Sequence, residues 1–243
     1  MTAAVLCQIP LCATAVAASV SGKSGFTASC SNEQVFSARV TGIKDVAATK
    51  WLKLQTVMYS DQKGASRTYD MVSRTTRPQS AGIDGVVMLP LLRRAAAPQD
   101  VETLIVLQFR PPVGKVTAEL PAGMVDAGES AEQAAIREMK EETGYTGTVS
   151  HASGKISNCP FLVNDIERGI VVDIDLDAPE NRTPTQKLED SEFIEVRRVR
   201  LLDLLDVVTD LEARGVVVAE GLYLLAIGLS LRGQLGPSPH GHG

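Results

Sequence analysis

Gly123–Tyr145 reads GMVDAGESAEQAAIREMKEETGY and holds five glutamates, Glu129, Glu132, Glu138, Glu141 and Glu142. Ser130, with Gln133 three residues on, has the capping-box pattern that opens a helix. Gly144 follows the last acidic pair, where a left-handed helix stop is expected. The spacing predicts about three and a half turns of helix between these signals. Glu138, Glu141 and Glu142 lie three and four apart, so they project to one side, where like charges repel mildly. A carboxylate cluster that costs stability calls for a partner, and a hard divalent cation with oxygen ligands is the natural one.

The remaining sequence narrows the alternatives. The chain has 243 residues, 44% hydrophobic and 22% charged, with a net charge of -5. That length allows one large domain or a domain with a small accessory element. The negative balance argues against the nucleic-acid backbone or an anionic membrane as the main partner. Cys7, Cys12, Cys30 and Cys159 show no CxxC spacing. Reduced thiols in the cytoplasm, with the nucleus as a second compartment, are therefore expected rather than zinc or disulfides. His151 is isolated and His240 and His242 lie in a Gly/Pro tail, so metal chemistry must come from carboxylates. No stretch reaches the roughly 18 apolar residues of a membrane span. Val216–Leu231 comes nearest, contains Glu220, and reads as a buried helix. Residues 1–36 read as a disordered extension, with organelle targeting by residues 1–30 as the second reading.

Along the chain, Trp51–Tyr59 and Arg67–Arg74 are β-prone and flank the turn Asp61–Gly64, which predicts a hairpin. Trp51 and Tyr69 are placed either to stack on a flat ligand or to serve as core or interface aromatics. Thr76–Gly82 is a breaker-rich link. Gly85–Leu92 and Thr103–Phe109 are continuous apolar runs, hence buried strands. Val116–Leu120, Gly147–Ser150, Gly169–Leu176 and Glu192–Val199 are further strands. Asp177–Ser191 is polar, holds two prolines, and is a loop or lid. Leu201–Val208 is an amphipathic helix, and 233–243 a flexible tail. Strands around one acidic helix, followed by two terminal helices, make an α+β or α/β/α arrangement. Residues 37–80 are expected to form an N-terminal β subdomain and 81–232 the main domain.

The acidic stretch resembles the Nudix box. It matches at every fixed position, Gly123, Glu129, Arg137, Glu138, Met139, Glu141, Glu142, Gly144 and Tyr145. Nine constrained positions over 23 residues make a specific signal. Flanking motifs extend the likeness to the ADP-sugar (ADP-ribose) pyrophosphatase branch of these hydrolases. They are Trp51–Leu54, Arg67–Asp70, Ser73–Arg77, Asp84–Val87, Gln108–Pro112, Glu119–Gly123 and Glu192–Val196.

The resemblance implies a Nudix α/β/α sandwich with an N-terminal hairpin that dimerises, and Mg²⁺- or Mn²⁺-dependent hydrolysis of ADP-ribose to AMP and ribose 5-phosphate. It implies metal ligands at the Ala122 carbonyl, Glu138, Glu141 and Glu142. Glu192 matches the proposed catalytic base, with Glu141 as competitor and Asp190 a weaker third. Arg137 is expected to brace the loop and helix by pairing with Glu129 or Glu141. Substrate contacts map to Trp51, Tyr69, Arg74, Arg110 and Glu119, with adenine held between Trp51 of one subunit and Tyr69 of the other. Surface salt bridges are the plainer reading of the two arginines. The loop Asn158–Asp165 departs from the pattern of the branch, which leaves room for another nucleoside diphosphate derivative such as 8-oxo-guanosine diphosphate. A non-catalytic ADP-ribose-binding module is the rival from a different class, and the complete carboxylate set speaks against it.

Overall fold

The computed structural model describes residues 37–77 and 82–232. The expected extension at 1–36, most of the 76–82 link and the 233–243 tail lie outside the described residues. The chain divides into two compact units. One contains the described residues up to Thr75 together with Phe161–Val163, and the other the described residues of Thr76–Pro160 and from Asn164 to Arg232.

The first unit is a three-stranded antiparallel sheet rather than the expected two-stranded hairpin. Its strands are β1 (Arg39–Ala48), β2 (Leu52–Ser60) and β3 (Ser66–Arg74), in that order. The β2–β3 turn matches the sequence expectation, with the Asp61 side chain accepting from the Lys63 and Ala65 amides and Gly64 at φ 79°. β1 carries no clear strand signal because register shifts between Val40 and Gly42 and between Asp45 and Ala47 break its apolar alternation. Val163 adds a parallel bridge to Val72, and the Val72 amide donates to the Leu162 carbonyl.

The second unit is built on a mixed sheet. Its strands are β4 (Gly85–Arg93), β5 (Glu102–Arg110), β6 (Lys115–Glu119), β7 (Ala122–Met124), β8 (Thr148–Ile156), β9 (Glu167–Asp175), β10 (Ile194–Arg200) and β11 (Val217–Val218). The main path runs β11-β6-β5-β4-β9-β8, with β10 paired to β5 and β7 to β4. The helices are α1 (Ala131–Glu138), α2 (Leu204–Ala213) and α3 (Glu220–Arg232).

Two apolar clusters form the layers. Val86, Met88, Leu92, Leu104, Ile170 and Val172 pack with Ala131, Ala134, Ala135 and Met139 of the acidic helix. Ile105, Leu107 and Ala118 pack with Leu204, Val208, Leu211, Leu222 and Ala226 of α2 and α3. Adjacent residues Leu104 and Ile105 thus serve opposite clusters, as the period of two along a strand requires. The result is the expected α/β/α arrangement.

Three local expectations are corrected. Val216–Val218 is not the start of the last helix. Val217 and Val218 pair in parallel with Thr117 and Ala118, after Gly215 turns the chain at φ 85°. The β7 strand, at the entrance to the acidic stretch, is not among the strands that the sequence predicts. It becomes a strand because Ala122, Gly123 and Met124 pair with Val87, Val86 and Gly85. The acidic helix is not α-helical throughout. After Glu138 it passes into a π turn over Met139–Thr143 before the left-handed stop at Gly144, φ 78°.

Candidate active site

The carboxylates sit on and after α1. Both halves of the expected capping box are formed, with the Gln133 amide donating to Ser130 Oγ at 3.2 Å and the Ser130 amide to Gln133 Oε1 at 2.9 Å. This fixes where the helix starts. Its position over β7 is set by Gly123, where a Cβ would overlap the Glu138 carboxyl group. Only glycine lets that carboxylate lie against the strand backbone.

Arg137 braces the carboxylates. Its Nε and one terminal nitrogen donate to the two Glu129 oxygens at 3.0 and 2.9 Å, and to the Met124 carbonyl at 2.9 Å. The other terminal nitrogen donates to Glu138 Oε1 at 2.9 Å and Glu141 Oε2 at 3.1 Å. The two partners the sequence offered as alternatives, Glu129 and Glu141, are both used. Glu129 first, against the opposing effect of burial, then Glu138 and Glu141, hold the guanidinium charged well above its ordinary range.

Glu142 is in a different situation. It is 7% exposed, and among the described residues its side chain accepts a single bond, from the Ala122 amide to Oε2 at 3.2 Å. Burial above all, and the charges of Glu138 and Glu192, push its carboxyl up to about 8. Glu138 is raised as well, chiefly by burial, with Arg137 opposing and Glu141 and Glu192 adding. Glu192 thus lies close enough for its charge to act on both. It closes a tight turn, its amide donating to the Glu189 carbonyl and its Oε2 accepting from the Glu189 amide.

Arg110 and Glu119 form a two-bond pair at 2.9 and 2.8 Å, and Thr117 Oγ1 also donates to Glu119. Burial alone would raise the Glu119 carboxyl, but the bonds from Arg110 and Thr117 bring it below the usual carboxylate range. Arg110 is raised by Glu119 first, against burial, and then by the charges of Glu142 and Glu192. Sequence reading did not single out Thr117 or the Met124 carbonyl, and neither carries a signal beyond lying next to the box.

Trp51, Tyr69 and Arg74 belong to the N-terminal unit. Tyr69 pairs with Val57, six residues beyond Trp51 on the neighbouring strand, which separates the two rings by ~20 Å at about 3.3 Å per residue. They are 58% and 50% exposed. One copy therefore does not bring them together. Lys50 Nζ lies 4.2 Å above the Trp51 ring, and the Tyr69 hydroxyl donates to the Phe161 carbonyl at 2.9 Å.

Among the described residues, no three His, Cys, Asp or Glu side chains form a ready-made cage. Glu138 and Glu141 are turned to Arg137 instead. The donors are nevertheless all oxygen, and burial raises both the Glu142 and the half-buried Glu138 carboxyls above their ordinary range, a cost that a bound cation would offset. These residues fit a hard cation.

Residues 86–219 match the family model of the NUDIX domain, more than half of the chain. The chain belongs to the NUDIX family. An ADP-ribose pyrophosphatase of Saccharomyces cerevisiae is 41% identical over 173 residues, 71% of this chain and 74% of that protein. An ADP-sugar pyrophosphatase of Mus musculus is 39% identical over 176 residues, 72% of this chain and 78% of that protein. An uncharacterised Nudix hydrolase of Schizosaccharomyces pombe is 41% identical over 180 residues, 74% of this chain and 86% of that protein. A crystal structure of an ADP compounds hydrolase superimposes with a TM-score of 0.53 at 19% identity, covering 81% of this chain and 95% of that one. It shares the fold. In this Nudix chain no helix among the described residues is long and apolar enough to cross a membrane.

Proposed function

We propose that this Nudix hydrolase splits the diphosphate bond of ADP-ribose and related ADP-sugars with Mg²⁺ or Mn²⁺, giving AMP and ribose 5-phosphate. The observation that carries the reading is the carboxylate pair formed by half-buried Glu138 against Gly123 and buried Glu142 against Ala122, in a chain about 40% identical to pyrophosphatases of these substrates. The Ala122 carbonyl, Glu138, Glu142 and Glu141 are the residues that would hold the metal. When bound, it neutralises diphosphate charge and makes a water nucleophilic.

The chain's own groups divide the remaining work. Glu192 takes the proton of the attacking water, and Glu141 is the second candidate for that role. Arg110, aligned by Glu119, and Arg74 grip the diphosphate and terminal ribose with permanently charged forks. Arg137 keeps the loop before α1 and the two outer carboxylates in register. Trp51 and Tyr69 stack on adenine from different subunits of a homodimer. Their separation on one sheet and the apolar side chains that sheet exposes support that arrangement. A cytoplasmic or nuclear location goes with the nucleotide substrate and with cysteines that lack disulfide spacing.

The test is a panel of ADP-ribose, ADP-mannose, ADP-glucose and 8-oxo-guanosine diphosphate, compared by kcat/KM with and without Mg²⁺. AMP release from ADP-ribose that stops on chelation is the expected result. No AMP from any ADP-sugar overturns the substrate, and turnover undiminished by chelation overturns the metal.

A further inference from the structure

The polar segment Asp177–Ser191 reads from sequence as one loop or lid, yet most of it is pinned. Asn181 is buried, its Oδ1 accepting from the Thr146 amide and its Nδ2 donating to the Thr146 and Asp175 carbonyls, all at 2.8 Å. Thr185 lies so close over Gly144 that a Cβ on the glycine would strike its backbone. The Lys187 amide donates to the Glu141 carbonyl at 2.8 Å. Gln186 then does something none of its neighbours does. Its single side-chain nitrogen donates to the Glu142 carbonyl at 2.6 Å and to the Ile194 carbonyl at 3.0 Å.

The last turn of a helix leaves carbonyls without intrahelical partners. Here the π turn presents those of Glu141 and Glu142, and the loop supplies the donors. Gln186 thereby ties the backbone of Glu142 to the first residue of β10, two residues after Glu192. The stretch Leu188–Phe193 lies between these ties and, among the described residues, is bonded only within itself, at Glu189 and Glu192. It carries Glu192, whose carboxylate accepts from the Glu189 amide at 3.1 Å.

We infer that Gln186 is a positioning residue for the proposed diphosphate hydrolysis, fixing the hinge of the Glu192 turn against the helix end that carries Glu142. The inference rests on the proposed function for its kinetic consequence and on the two bonds of Gln186 for its structural one. A reacting group misplaced by about 1 Å costs up to ~100-fold in rate, while loss of a partly exposed hydrogen-bonded link moves the melting temperature by only a few degrees, roughly 4 °C at most.

The experiment compares the full-length wild type with Gln186→Met, which keeps the shape and removes the donors, and Gln186→Lys, which keeps a donor able to serve two carbonyls. Mg²⁺-dependent turnover of the panel substrates and amide hydrogen exchange over 187–194 are both measured. Gln186→Met is expected to lower kcat about 10- to 100-fold with KM within about twofold. It should also quicken exchange in Leu188–Phe193, and Gln186→Lys should recover most of both. Unchanged kcat in Gln186→Met overturns the positioning role, as does a loss that Gln186→Lys fails to repair. If the wild type turns over none of the substrates, the proposed function falls, and exchange alone decides the tie. Faster local exchange with the melting temperature within about 4 °C of the wild type sustains it, and equal exchange removes it.

Discussion

In the central sheet, β5 buries Leu104, Ile105, Val106 and Leu107 in succession, whereas in the N-terminal sheet β1 leaves Val40, Ile43 and Val46 each more than half exposed. Both regions are β-structure with ample apolar residues, and they use them in opposite ways. The Nudix unit has covered both faces of its sheet with its own helices. Among the described residues of the N-terminal unit, no apolar side chain is buried. A small sheet in that condition is marginal alone, and an apolar surface of this kind marks a site of association. We propose that the first region folds by itself and that the second is completed by another copy of the chain.

Substitutions that strike the two regions differently test this contrast, and the largest effect belongs to chemistry in the finished region. Glu142→Gln should lower kcat for ADP-ribose at least ~100-fold, several kcal/mol of transition-state stabilisation, without unfolding the protein. A near-normal rate would remove Glu142 from the site. Next, Leu104→Ala should cost about 2–5 kcal/mol in urea unfolding. The double change Ile43→Glu with Val46→Glu should leave that transition within about 0.5 kcal/mol but convert dimer to monomer in sedimentation. If the double variant lost as much stability as Leu104→Ala, the N-terminal sheet would have a core of its own.

The pH response separates the regions further. Glu142 has its folded pKa raised from 4.5 to about 8. The folded state therefore favours the protonated form, and that contribution to stability is fully present below about 4.5 and lost as pH rises through about 8. Metal-free protein should lose urea resistance between pH 5 and 8, Mg²⁺ should restore it, and Glu142→Gln should flatten the slope. A slope that persists in Glu142→Gln would assign it to other groups. The smallest effects are expected at Tyr69. Tyr69→Ala should raise KM for ADP-ribose by about tenfold through the lost stack. Tyr69→Phe, which removes only the bond to the Phe161 carbonyl, should raise it no more than ~5-fold. Equal KM values for both variants would mean that the hydroxyl, not the ring, matters.

The sequence was most legible where local chemistry and tertiary role agree. Ser130, Gln133 and Gly144 announce the ends of the acidic helix because caps are local hydrogen bonds and a left-handed turn needs glycine. The buried runs of β4, β5 and β9 announce themselves because strands covered on both faces need no polar alternation. Legibility failed where partners decide. β7 exists through β4, β11 through β6, and β1 hides behind its bulges. In the site, the pairing of Arg137 with Glu129 and Glu141 was readable from the acidic stretch, while its bonds to Glu138 and to the Met124 carbonyl were not. The Gln186 link joins residues 44 and 8 positions apart through backbone carbonyls, which every residue has and no motif records.

The π turn at Met139–Thr143 gives the second half of the acidic stretch a meaning that composition does not express. A π turn amounts to an α-helix with one residue too many. Deleting a single residue there would leave every carboxylate in the chain and a better helix by propensity. It would also rotate the residues beyond by about 100°, carrying the Gly144 stop away from Thr185 and the Glu141 and Glu142 carbonyls away from their donors. What is stored in this segment is a length. Scanning by substitution would pass over it, and only a change in residue count would expose it.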